Sequence, residues 1–199
     1  MINGQATFYG HEVVGAKMTK KILNELKFSH ETIEKVTKLI RWHMFFSDTE
    51  QITHSAVRRM IANVGRENIW DLINLRICDR VGTGRPKEDP YRLRKYMSII
   101  EEVMSDATDV SMLKVNGKDL MEMLHVTPGP VIGQILNILL DKCIENAEMN
   151  NKESLLEISK ELLHMNPSQL AEMNKVALSH QKQDNDEKIH KIRSKYKVR

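Results

Sequence analysis

Apolar residues recur at intervals of three and four along nearly the whole chain, and no stretch alternates apolar with polar residues for long. Only a helix of about 3.6 residues per turn gathers that spacing onto one face. The chain is therefore expected to be all-α, an irregular multi-helix array without a sheet. Val14, Met18 and Ile22 mark a first helix, and Ile33, Val36 and Ile40 a second with Ser29 placed to cap it. Val57, Met60, Ile61 and Val64 mark a third that stops near Gly65, and Ile69, Leu72, Ile73 and Ile77 mark a fourth. The run VGTGRPKEDP breaks the period. Asp89-Pro90 then reads as cap and first-turn proline of a helix from Tyr91 to about Met104.

The polar connector SDATDVS is expected to join two parts, over 1–106 and 107–180. In the second part, Ile132, Ile135, Leu136, Leu139, Leu140 and Cys143 form a broad stripe, the expected centre of its core. Leu155, Ile158 and Leu162 form another, and Asn166-Pro167 restarts a helix through Leu170 and Met173. Lys118-Asp119 opens a helix, with Gly117 supplying the turn. GPVIG lacks the phosphate-loop pattern, so its glycines are expected to serve close helix packing. Ser29-His30 and Thr53-His54 lack an orienting acid and read as caps rather than nucleophiles. After about Gln181 apolar residues thin out, leaving 181–199 as a basic tail, loosely helical or disordered.

Hydrophobic residues make up 41% of the 199 residues, enough for a core, but aromatics only 5%, so aliphatics and twelve Met must fill it. Cys78 and Cys143 form no CxxC, which fits a reducing cytoplasm and argues against a disulfide framework or a cysteine zinc site. The most apolar stretch, Val131 to Leu140, is interrupted by Gly133, Gln134 and Asn137 and is too short to span a bilayer. The start, MINGQATFYG, has no signal-peptide pattern. No membrane role is expected.

The formal net charge is +3, unevenly spread. Arg76 to Lys95 holds seven Lys/Arg against three Asp/Glu, and Lys175 to Arg199 holds eight against three, so the remainder is acidic. Two basic stretches on an acidic body suggest a polyanion such as RNA. The candidate phosphate contacts are Arg76, Arg80, Arg85, Lys87, Arg92, Arg94 and Lys95 in the first stretch, Lys191, Arg193 and Lys195 in the tail, and Arg58 and Arg59 beside them.

Three polar residues fall on apolar faces: His11 with Val14, Met18 and Ile22; His43 with Ile33, Val36 and Ile40; Asp79 with Leu72 and Leu75. A carboxylate there must be hydrogen-bonded, paired or bound to metal. Two readings stand: the three converge on a divalent ion, magnesium, manganese or another, or each is a satisfied core group, with Asp79 paired to a nearby Arg.

The segments FYGHEVVGAK, RWHM, AVRRMIANVG, DLINLRICDRVGTG and VNGKDLMEMLHVTPGPVIGQIL, in that order over about 7–160, resemble bacterial tRNA nucleotidyltransferases. These are the CCA-adding and A-adding enzymes of the poly(A) polymerase family, in the subtype with an HD domain. The resemblance implies a truncated HD-type domain over 1–106, a helical C-terminal body over 107–180, and tRNA as partner. It places His11, His43 and Asp79 at HD-domain ligand positions. The His-Asp pair that would complete the set does not precede His11, so the site is expected to be degraded and the chain to start inside a domain. The Gly-Ser pair and paired strand aspartates of the family's catalytic head are absent as well, so no catalytic residue is assigned. The resemblance therefore implies a tRNA-binding C-terminal fragment acting in tRNA 3′-end processing, inactive alone in nucleotidyl transfer; two origins stay open, a partner to a separately encoded nucleotidyltransferase head or a truncated piece of a longer gene. The competing reading is an HD-domain phosphohydrolase acting on cyclic phosphates or nucleotides through bound metal, which would need a complete ligand set.

Overall fold

The computed structural model describes residues 10–45, 52–84 and 91–180. Among them the chain forms nine α-helices and no strand: α1 (His11–Glu25), α2 (His30–Trp42), α3 (His54–Val64), α4 (Ile69–Gly82), α5 (Tyr91–Val103), α6 (Gly117–Leu124), α7 (Pro130–Glu145), α8 (Lys152–Leu163) and α9 over 167–180. The all-α expectation is met. The expected breaks are also where helices end. The Ser29 hydroxyl accepts the Thr32 N–H at the start of α2, and the Thr53 hydroxyl accepts the Ala56 N–H at the start of α3. Gly65 ends α3 at φ 92°, in the region open to glycine. The basic tail over 181–199 lies outside the described residues.

The chain divides into two compact units, but not at the connector. The described residues of the first are 10–45, 64–84 and 91–96; those of the second are 52–63 and 97–180. Residues 105–111 thus belong wholly to the second unit, where Ala107 and Thr108 are buried. α3 belongs there too, because Arg58 fastens it to the end of α7. Its Nε donates to the Ile144 carbonyl at 2.6 Å, and its Nη atoms donate to the Glu145 carbonyl and the Asp106 carboxylate, both at 3.0 Å. Those are the last carbonyls of a helix, which lack intrahelical donors.

In the second unit α7 is central, as its stripe predicts. Ile135, Leu139, Cys143 and Ile144 are fully buried with Leu120, Leu155 and Leu162 from α6 and α8. Each such Ile or Leu contributes about 1.5–3 kcal/mol of burial. Asparagines start most of these helices. Asn116 and Asp119 form a capping box on α6, Asn151 accepts the Ser154 N–H on α8, and Asn166 accepts the Ser168 N–H on α9. The glycine roles differ from expectation. Gly117 is not a positive-φ turn; it sits against α7, where a Cβ would lie 3.3 Å from Ile132 Cγ2. A Cβ on Gly133 would meet nothing within 4 Å, so the close approach expected there is made at Gly117 instead.

In the first unit α1 packs on α2, and α2 on α4. The orientation of α1 corrects the sequence reading. Its buried positions are Glu12 and Ala16, while Val14, Met18 and Ile22 are 47%, 58% and 48% exposed. Small side chains on the other face decide this. A Cβ on Gly15 would already be 3.4 Å from Ile40 Cγ2, so α2 approaches most closely along Gly15 and Ala16.

Candidate functional site

α1 and the end of α2 bring His11 and His43 together. Their Nε2 atoms are 3.2 Å apart and the rings meet edge-on, with centroids 5.2 Å apart. His43 follows Trp42 at the end of α2 and is 8% exposed. Its Nδ1 lies 2.6 Å from the Ile40 carbonyl. A carbonyl only accepts, so His43 donates to it through Nδ1–H. In the neutral tautomer that this leaves, His43 Nε2 accepts from His11 Nε2–H. Its Nδ1 turns toward the Glu12 carboxylate, 3.7 Å away. Glu12, buried in the first turn of α1, was missed in the sequence; its position four residues before Ala16, on the inward face, is the signal that marks it.

Asp79 is half-buried on α4 and accepts from Arg76 Nη1 at 2.8 Å, the arginine pairing foreseen as one of its two readings. The same Nη1 lies 3.1 Å from Met44 Sδ, next to His43 in the chain. The HD-type resemblance implies an ion here, and the donors fit one only in part. Two imidazole nitrogens 3.2 Å apart suit two bonds of about 2.0–2.1 Å to a shared ion. Among the described residues, however, no group of three or more His, Cys, Asp or Glu is disposed to hold a metal. The Asp79 carboxylate is engaged by a guanidinium instead.

The candidate RNA contacts separate sharply. Arg58 is 6% exposed and its guanidinium is consumed by the α7 carbonyls and Asp106, so it is withdrawn as a phosphate contact. Arg76 is withdrawn too: it is buried against Met44 and Asp79. Arg59 is mostly buried and paired with Glu145. Arg80 is half-buried, whereas Arg94 and Lys95 are exposed on α5. Arg85, Lys87, Lys191, Arg193 and Lys195, and the side chain of Arg92, lie outside the described residues.

The model of the family tRNA nucleotidyltransferase domain 2 matches residues 12–159, most of the chain and both units. The chain belongs to the tRNA nucleotidyltransferase domain 2 family. This family chain is 28% identical over 141 residues to the A-adding tRNA nucleotidyltransferase of Deinococcus radiodurans, covering 69% of itself and 32% of that protein. It is 28% identical over 151 residues to the CC-adding tRNA nucleotidyltransferase of Thermus thermophilus, covering 76% and 33%. It is 27% identical over 144 residues to the CCA-adding enzyme of Lactiplantibacillus plantarum, covering 71% and 31%. The chain thus spans about a third of the length of these curated relatives and corresponds to a C-terminal part of them. No solved structure matches it significantly. The phosphohydrolase alternative is not favoured: the relatives that match are nucleotidyltransferases.

Proposed function

We propose that this chain is the tRNA-holding part of a tRNA nucleotidyltransferase and acts in tRNA 3′-end processing. The family match over 12–159 carries the reading. Relatives described as A-adding, CC-adding and CCA-adding all match this same part at 27–28% identity, so the part suits what these enzymes have in common, the tRNA, better than the nucleotide each adds. The exposed Arg94 and Lys95 supply point charges for phosphates, and recognition is of RNA shape and backbone.

The first unit is, in this reading, an HD-type domain in which His11 and His43 engage a divalent ion weakly, two imidazoles being too few donors for a tight site. The chain works in the cytoplasm; among the described residues no helix is long and apolar enough to cross a membrane.

Filter binding tests the reading, with tRNA lacking its CCA end and heparin as competitor at physiological salt. The expected result is retention of tRNA in the presence of heparin, together with no incorporation of labelled CTP or ATP by the chain alone. Affinity for tRNA no better than for heparin would sink the tRNA reading. Incorporation by these 199 residues alone would sink their assignment as the tRNA-holding part.

A further inference from the structure

Lys17, Lys20 and Lys27 lie on the exposed side of α1 and its C-terminal turn, with the exposed Asn24 between them. Lys17 and Lys20 stand about one turn apart on the helix, and Lys27 follows its end in a left-handed turn, at φ 58°. Among the described residues no carboxylate pairs with any of the three, whereas the neighbouring Lys21 meets Glu25 and Lys35 meets Asp71. Phe28 follows Lys27, and its side chain is half exposed. Charge is divided between the units in the same sense. The described residues of the first carry thirteen Lys/Arg against seven Asp/Glu, and those of the second eight against thirteen.

Resting on the tRNA reading above, we propose that this face of α1 is a second RNA-binding site, with Lys17, Lys20 and Lys27 on backbone phosphates and Phe28 stacked on an unpaired base. Lysines neutralise phosphates without reading sequence, and an aromatic ring stacks on any base. The site lies outside the basic stretch 76–95, because its charge is gathered by the turn of a helix rather than by a run of sequence. The competing occupant of α1 is a protein seated on the exposed Val14, Met18 and Ile22.

The test uses the full chain and tRNA lacking its CCA end, titrated over a range of salt. The triple variant is Lys17→Glu, Lys20→Glu and Lys27→Asn; Asn suits position 27, where φ is 58°. The expected result is weaker binding, with the slope of log K against log salt reduced by about one unit per lysine. Phe28→Ala should weaken binding with the slope unchanged. Single Lys→Gln changes should show the same trend in steps, which keeps the test valid if the triple variant melts early. The inference is overturned if the wild type binds tRNA and the lysine variants bind with the same affinity and slope. It is overturned equally if the neutral change Met18→Gln costs as much affinity as the triple variant, since the apolar side chains and not the lysines would then carry the contact. A wild-type chain that does not bind tRNA removes both this inference and the reading it rests on.

Discussion

Arg58 Nε donates to the carbonyl of Ile144 at 2.6 Å, joining two helices 86 residues apart in the chain. The guanidinium acts as the C-terminal cap of α7, satisfying two terminal carbonyls while Asp106 balances its charge. Replacing it by Met should cost about 2–4 kcal/mol, since buried polar partners are left unpaired. Arg94→Met, on the surface, should change stability by no more than about 0.5 kcal/mol while weakening tRNA binding. Urea denaturation of the two variants, set beside filter binding, checks the contrast. An Arg58 variant of wild-type stability would refute the capping role.

The thiols should divide by burial. Cys78 is exposed, whereas burial pushes the Cys143 thiol up to about 11, against the opposing effect of the Arg58 charge. In native protein at about pH 8, a thiol-specific reagent should modify Cys78 promptly and Cys143 only on unfolding. The raised value stabilises the fold below the ordinary thiol value of 9.0, a contribution lost as pH rises toward about 11. Mass spectrometry of the labelled protein identifies the modified site.

The Asp109 carboxyl is held below its ordinary 3.8 by hydrogen bonds from the Ser111 hydroxyl and backbone N–H. A depressed acid stabilises the fold above its unfolded value and loses that contribution as pH falls below 3.8 through the folded value. Asp109→Asn keeps the cap and removes the titration. Its stability should therefore fall less steeply than that of wild type in the acid limb, as measured by chemical denaturation between about pH 5 and pH 2.5.

Gly65→Ala should destabilise by about 1–3 kcal/mol, because φ 92° disfavours a side chain. A Cβ there would also displace the Glu67 carboxylate, which lies against that position. Gly133→Ala, where a Cβ meets nothing, should stabilise α7 by about 0.5–1 kcal/mol. Thermal melts of the pair should move in opposite directions.

Helix positions were legible in the sequence because they depend on neighbours within about four residues. The three-four period, the Ser29 cap and the Asn166-Pro167 restart are complete within such windows. The inward placement of His43 was legible for the same reason: it continues the stripe of Ile33, Val36 and Ile40. Only the tertiary structure decided what packs on each face. α1 carries two candidate inner faces, and the one with larger apolar residues is outside, because α2 approaches along Gly15 and Ala16. Arg58 and Lys20 are both basic residues on helices, yet one is consumed by helix ends more than eighty residues away and the other faces solvent. A charge in sequence carries its sign but not its partners, since the partners are brought to it by packing over the whole chain.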